Sequence, residues 1–305
     1  MLQSDPVIAA ALLPFPARLP DGSSVQDAAP EQWLKTLGIV RTEGFTDVDL
    51  TDSWVRVGDL SEQRLTDFGS ALEQAELRPA AISVIRRSVI DPVSGDENLR
   101  YSHATIDAAA HLGIDLVSVG LHRPVTPEQA KALWFWTVQG PVDSDDADTW
   151  RLAVRRIQEL GRHAAEVGVR LSLEMYEDTL LGSADSAVRL VEAVGSGAVG
   201  LNPDLGNLYR LHRPIEPFLD ALAKCLPFTN YWHVKSYSRD EDAATGLITT
   251  TPAPMETGSM DYRTALRMAV DAGFAGPYCV EHYGGDGLSV SARNRDYIAR
   301  LLRQI

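Results

Sequence analysis

Only two cysteines, Cys225 and Cys279, occur among the 305 residues. Both sit in apolar segments, AKCLPF and PYCVEH, and no Cys-x-x-Cys spacing exists. They read as buried free thiols, and a reducing compartment follows. Long apolar runs are also missing: no stretch approaches the roughly 20 apolar residues of a membrane-spanning helix. The opening MLQSDPVIAAALLPFP has a short apolar run without the basic flank of a secretory signal, so the protein reads as cytoplasmic. Positive charge is scarce. Lys and Arg number 28 against 42 Asp and Glu, a net charge of −14. Phosphate affinity in nucleic-acid binders comes mainly from clusters of Lys and Arg, so no nucleic-acid partner is expected. A phosphorylated small molecule needs only one local Arg or Lys and stays open. No G-x-G-x-x-G follows the first strand candidate, where PFPARLPDG stands instead.

What the chain does contain is alternation. Strand candidates fall at 7–13, 46–50, 80–85, 115–121, 169–175, 199–204, 231–235 and 277–282. Amphipathic stretches lie between them, opened by signals such as Pro30 and Ser61 and closed by glycines. Alternating strands and helices imply a parallel sheet with right-handed crossovers. Eight units in this length predict an α/β fold, a (β/α)₈ barrel forming one domain over 1–305. A doubly wound open sheet is the alternative. Two connections, 122–148 and 236–258, exceed the usual length and follow the fourth and seventh strands, on the face where barrel enzymes build their sites. In the first, Thr126 and Gln129 resemble a capping box, which predicts a short extra helix. Trp134, Phe135 and Trp136 come next; three adjacent aromatics cannot all face one core, so some are expected to line a pocket mouth or a subunit contact.

The last four strands carry the chemistry. They end at or near Glu174, Asp204, His233 and Glu281. Taken singly, each has a plain reading: a solvated strand end, a turn or cap, a packed imidazole, an acid paired with an arginine. Four ligand types on four consecutive strands of a barrel converge on one point. Three carboxylates and one imidazole make an oxygen-rich site suited to Mn²⁺, with Mg²⁺, Co²⁺ or Zn²⁺ possible. Lys235, two residues beyond His233, faces the same side of its strand. His122 closes the fourth strand and is either a loop residue beside Pro124 or a base.

The segments LSLEM, VGLNPDLGN, YWHVKSYSR and PYCVEH, with EGFTDVDL and IDAAAHLGIDLVSV before them, resemble the xylose-isomerase-like barrels, known broadly as sugar phosphate isomerases and epimerases. The resemblance spans nearly the whole chain. It implies a metal held by Glu174, Asp204, His233 and Glu281, with Glu174 and Glu281 also exchanging a proton with a sugar. The family's arginine six residues after the metal histidine matches Arg239. Two positions depart from its ketose 3-epimerases: Asn207 stands where they have histidine, and Leu180 where they have a second glutamate. Within the superfamily, the loop HRP…LWFW resembles the large catalytic subunit of bacterial C-glycoside deglycosidases. That likeness implies metal-dependent carbon–carbon cleavage of a 3-oxo-C-glycoside, a small second subunit and an oligomer.

The chemistry expected of this set is proton abstraction beside a keto-sugar carbonyl, giving an enediolate. His122, Glu174, Glu281 and Lys235 are the catalytic candidates; Arg239, Asn207 and Trp136 are the substrate-binding ones. Reprotonation gives epimerisation or isomerisation, and expulsion of an aromatic carbanion equivalent gives C-deglycosylation. The deglycosidase lyase is the expected outcome and the ketose 3-epimerase the alternative. A DNA-repair endonuclease on the same barrel needs more ligands and a basic face, which seven histidines and a charge of −14 do not supply.

Overall fold

The computed structural model describes residues 6–305. Residues 1–5 of the expected domain lie outside the described residues. Eight parallel strands form a nearly closed barrel: β1 (Ile8–Ala11), β2 (Asp47–Thr51), β3 (Arg78–Val84), β4 (Leu116–Gly120), β5 (Arg170–Glu174), β6 (Val199–Asn202), β7 (Trp232–Val234) and, after a hairpin, β10 (Tyr278–Val280). Their order round the sheet is β6-β5-β4-β3-β2-β1-β10-β7. The β6–β7 seam is joined by a single bridge, Leu201 to Thr229. A side chain completes it: Asn202 Oδ1 accepts from the His233 amide at 2.7 Å, which fixes the height of His233 in the barrel.

Helices α1 (Pro30–Thr42), α2 (Glu62–Gln74), α3 (Gly95–His111), α4 (Ala147–Glu166), α5 (Ala184–Val194), α6 (Gly206–Tyr209), α7 (Phe218–Cys225), α8 (Tyr262–Asp271) and α9 (Gly287–Leu302) lie between or after the strands. Proline opens α1 where its missing N–H costs nothing, and Ser61 caps α2 by accepting from the Arg64 amide. Helix α4 shows why such segments fold onto the barrel. Ala153, Ile157, Leu160, Gly161 and Ala164 recur at helical spacing and are all buried. A Cβ on Gly161 would meet Val199 Cγ2 at 2.6 Å, so glycine sets the approach of α4 to β6.

Most of the core lies between the strands and the helices, where Leu37, Phe68, Leu160 and Trp232 are buried. A smaller cluster of Ala11, Ala81, Leu116, Tyr231 and Cys279 is separate from it. Small residues on these strands leave room inside for the polar side chains nearer the C-terminal ends.

The connection after β4 holds two short 3₁₀ turns, Gln129–Lys131 and Phe135–Thr137. Thr126 and Gln129 cap each other, at 3.0 and 3.1 Å. The long connection after β7 carries two strands of its own. Residues Ser236–Glu241 (β8) and Ile248–Ala253 (β9) form an antiparallel hairpin that begins one residue after Lys235 leaves the barrel. Its threonine-rich, half-polar pattern suits a two-stranded ribbon with one side on the barrel rim.

Candidate metal centre

Glu174 is the last residue of β5, Asp204 lies two residues past β6, His233 is the middle residue of β7 and Glu281 directly follows β10. All four are buried, and ligand atoms of Glu174, Asp204 and His233 lie within 4.8 Å of one another. His233 Nδ1 is 3.8 Å from Asp204 Oδ2 and 3.9 Å from Glu281 Oε1. The expected four residues therefore share one buried place.

The hydrogen bonds behind the histidine choose which nitrogen faces the carboxylates as a lone pair. Ser83 Oγ donates to Asp49 Oδ2 at 2.7 Å, so its oxygen is left to accept from His233 Nε2 at 3.3 Å. In the neutral ring Nε2 then carries the proton, and Nδ1 is the nitrogen that offers a lone pair. Nδ1 has no hydrogen-bond partner among the described residues, and neither has Asp204 Oδ1. An imidazole nitrogen and a carboxylate oxygen that both lack partners, beside two further carboxylates, fit a divalent cation once the imidazole has lost its extra proton. A second group, Asp49, His233 and Cys279, also comes within 4.8 Å. Its carboxylate is already committed: Tyr231, Ser83 and Thr51 hydroxyls all donate to Asp49. It fits an orienting role better than a ligand role.

Asp49 was not singled out from the sequence as a site residue. It reaches the interior beside a bulge, where the β2–β3 register shifts between Val48 and Asp49. Such irregularities re-aim side chains. The signal available was an acid flanked by Val48 and Leu50 in mid-strand.

Lys235 is buried and its ammonium bonds Asp204 Oδ2 and Glu281 Oε1. One ammonium faces three carboxylates, so the set is short of positive charge. Burial would push Glu281 up, but Lys235 and then His233 outweigh it and hold its carboxyl at about 2. Burial wins at Asp204, against Lys235, and lifts it to about 8. It also raises Glu174, against His233. At His233 burial is overcome by Asp49 and by the carboxylates of Glu174 and Glu281, which raise it to about 9. Without the ion, this centre therefore holds protons that a metal must displace.

The remaining candidates divide. Asn207, on α6, donates to Glu174 Oε1 at 3.2 Å and to the Met175 carbonyl at 3.0 Å, so it orients the glutamate. His122 is buried, stacked on Tyr176 at 4.4 Å, with Nδ1 unpartnered among the described residues. Burial, then Arg86, Arg210 and Lys235, hold it well below its ordinary range and keep it neutral. Trp136 is buried with its indole on Thr250 Oγ1 at 3.3 Å, and it packs edge-on against Tyr237 and Tyr283. The aromatic run thus folds inward over the barrel mouth, with Leu133 as its exposed neighbour. Leu180 is buried in the core.

Arg239 is not brought to the cluster. Its guanidinium donates to the carbonyls of Tyr209, Leu211 and Arg213, tying the hairpin to the segment after α6. The fully buried guanidinium belongs to Arg210 instead. Its Nη2 reaches both oxygens of Glu177 at 2.9 Å. No spacing in NLYRLHRP marks that residue.

A family model described as xylose isomerase-like TIM barrel matches residues 37–303. A xylose isomerase-like TIM barrel protein from Mycobacterium smegmatis, solved in complex with magnesium, is 46% identical over 98% of this chain and 97% of that one, with a TM-score of 0.94. An L-ribulose 3-epimerase is 16% identical, covering 98% and 95%, with a TM-score of 0.69. A 3-keto-D-glucoside 4-epimerase from E. coli is 13% identical, covering 96% and 98%, with a TM-score of 0.66. At such identity these two share the fold. No curated protein matches the chain. No described helix is long and apolar enough to cross a membrane.

Proposed function

The chain belongs to the xylose isomerase-like TIM barrel family, and from that premise we propose that it is a divalent-metal-dependent isomerase or epimerase of a keto-sugar. The observation that carries the reading is the shared surrounding of one imidazole: Glu174, Asp204 and Glu281 all border His233 from separate strand ends. Glu174, Asp204, His233 and Glu281 hold the ion. Oxygen-rich donors suit Mn²⁺ or Mg²⁺, and a magnesium complex of the relative from M. smegmatis agrees with that class. When bound, the ion supplies a Lewis acid that polarises the sugar carbonyl and acidifies the neighbouring C–H.

The protein's own groups move the proton. Asn207 steadies Glu174 so that one carboxylate oxygen keeps a fixed direction. One of Glu174 and Glu281 takes the proton from carbon, and the other returns one, the pairing that inversion at carbon requires. Lys235 stands beside the carboxylates as a cation for the oxygen on which charge develops. His122, neutral and unpartnered at Nδ1, is a further base. The distant relatives are named for L-ribulose and a 3-keto-D-glucoside, keto-sugars of the class proposed.

The test is turnover in D₂O with fructose, tagatose, ribulose and a 3-keto-glucoside, using protein loaded with Mn²⁺. Epimer or aldose carrying one solvent deuterium at the reacting carbon is the expected product. Glu174→Gln abolishes the exchange. Product without carbon-bound deuterium points away from proton abstraction by exchangeable carboxylates.

The aromatic wall of Trp136, Tyr237 and Tyr283 favours a second reading. It suits an aryl aglycone, and with it come carbon–carbon cleavage of a 3-oxo-C-glycoside, a small second subunit and a hetero-oligomer. Release of the aglycone from a 3-oxo-C-glucoside on addition of a small partner, with no epimerisation of free ketoses, selects this reading.

A further inference from the structure

The barrel mouth has a second polar region beside the metal centre. A cavity of about 220 Å³ opens there, bordered by Arg86, His122, Arg123, Tyr176, Glu177 and Trp136 among others. We propose that this cavity is an anion subsite, in which Arg86 takes a carboxylate or phosphate carried by the sugar and Arg210, packed against the lining residues Trp136 and Tyr176, adds positive field from behind the wall.

Pairing round the cavity leaves one cation over. Glu177 is matched by Arg210, and Asp178 by Arg213 at 2.7 Å. Arg123 is matched by Asp143 at 2.8 Å and by Asp91. Arg86 has no carboxylate partner among the described residues; its guanidinium donates to the Arg123 carbonyl at 3.2 Å and packs over Phe135 and Tyr176. Arg86 also sits at φ +56°, a left-handed conformation uncommon for any residue with a side chain. Strain of this kind persists where surrounding structure enforces it, and it clusters at ligand sites.

Arg210 adds a second incomplete guanidinium. It is fully buried, and one nitrogen serves both oxygens of Glu177. Its Nε and Nη1 have no partner among the described residues. Phe135, Trp136 and Tyr176 wall it in at 4.8, 5.0 and 5.2 Å. Buried donors are almost always satisfied, and guanidinium groups satisfy themselves best on carboxylate or phosphate oxygens. In a chain of net charge −14, unanswered guanidinium at one cavity marks a local need for an anion.

The cavity borders the reacting centre. Tyr176, which stacks on His122, follows Glu174 by two residues. Tyr283, packed on Trp136 and Arg210, has its ring 5.6 Å from Lys235 Nζ. One sugar thus has its carbonyl at the carboxylates and a charged substituent at Arg86. The fall in the proton affinity of His122 caused by Arg86 and Arg210, after burial, agrees with a positive potential here.

This inference rests on the keto-sugar reading, and its test separates the two. Manganese-loaded protein is titrated calorimetrically with inorganic phosphate, D-glucuronate and neutral D-glucose, for wild type, Arg86→Gln and Arg210→Met. Deuterium exchange is run in parallel on fructose and fructose 6-phosphate. One or both anions should bind more tightly than glucose, and Arg86→Gln should weaken that binding by at least about tenfold. Tighter phosphate indicates a sugar phosphate, and tighter glucuronate a sugar acid. If phosphate is preferred, the fructose 6-phosphate to fructose ratio of kcat/KM should fall by a similar factor in Arg86→Gln. Arg210→Met repeats the measurement where it folds; Arg86, half-exposed, gives the variant that decides. Anions that bind no better than glucose, or that bind Arg86→Gln as well as wild type, overturn the subsite even when fructose exchanges normally. Anion binding that depends on Arg86, with no exchange in any keto-sugar, upholds the subsite and overturns the reaction.

Discussion

Asp49 Oδ2 stands 3.8 Å from Nε2 of His233, on the opposite edge of the ring from the nitrogen that faces Asp204 and Glu281. Ser83 bridges the two at 2.7 and 3.3 Å. The pair fixes which nitrogen offers its lone pair. Asp49→Asn keeps the size but allows the amide to donate, which upsets that choice. Loss of such a partner costs roughly 10–100-fold in metal affinity. Calorimetric titration with Mn²⁺ measures it, and an unchanged far-ultraviolet spectrum shows that the barrel is intact. Affinity equal to wild type contradicts the orienting role.

Metal affinity should rise with pH. Burial lifts Asp204 to about 8 and raises Glu174, while Asp49 and the nearby carboxylates lift His233 to about 9 despite its burial. The values of Asp204 and His233 mean protons still bound near neutrality, and the ion needs bare donors. Raising the pH removes those protons, so the sign is an increase in affinity with pH, by about tenfold per unit for each proton displaced. Mg²⁺ titrations between about pH 6 and about pH 9, in buffers of different ionisation enthalpy, report both the affinity and the protons released. A flat profile contradicts the picture of a protonated apo centre.

Gly120 gives a way to move His122 without removing it. A Cβ at Gly120 would meet His122 Nδ1 at 2.4 Å and Cε1 at 2.6 Å. Gly120→Ala therefore displaces the ring from its stack on Tyr176. If His122 acts as a base, both Gly120→Ala and His122→Gln lower kcat by roughly 10²–10⁴-fold while metal content stays at wild-type level. If kcat is unchanged, Glu174 and Glu281 carry the proton alone.

How much of this was readable beforehand follows from what a linear pattern encodes. Glu174 and Glu281 end apolar β-runs, and a barrel rule turns strand ends into one place. His233 was legible for the same reason. Asp49 was not, because its value comes from contact with His233 across the barrel, from β2 to β7. Arg239 illustrates the opposite failure: it lies six residues beyond the histidine, yet an unforeseen hairpin turns its guanidinium onto three backbone carbonyls. Arg210 sits in a short irregular stretch with no periodicity to announce that it is buried.

The Arg210–Glu177 pair yields the last prediction. Both residues are buried, and Glu177 neutralises a guanidinium wrapped by Phe135, Trp136 and Tyr176. Removing one charge strands the other in a medium that solvates it poorly, at a cost of about 3–5 kcal/mol. Replacing both by apolar groups of similar volume removes the desolvation of two ions at once and is often neutral or better. Glu177→Leu alone should therefore lower the thermal midpoint sharply, and Arg210→Met added to it should restore most of the loss. The cycle is measured on protein at fixed metal concentration, because a bound ion adds its own stabilisation. If the double variant is as unstable as the sum of the singles, the two side chains are not coupled and the buried pair does not hold the barrel mouth together.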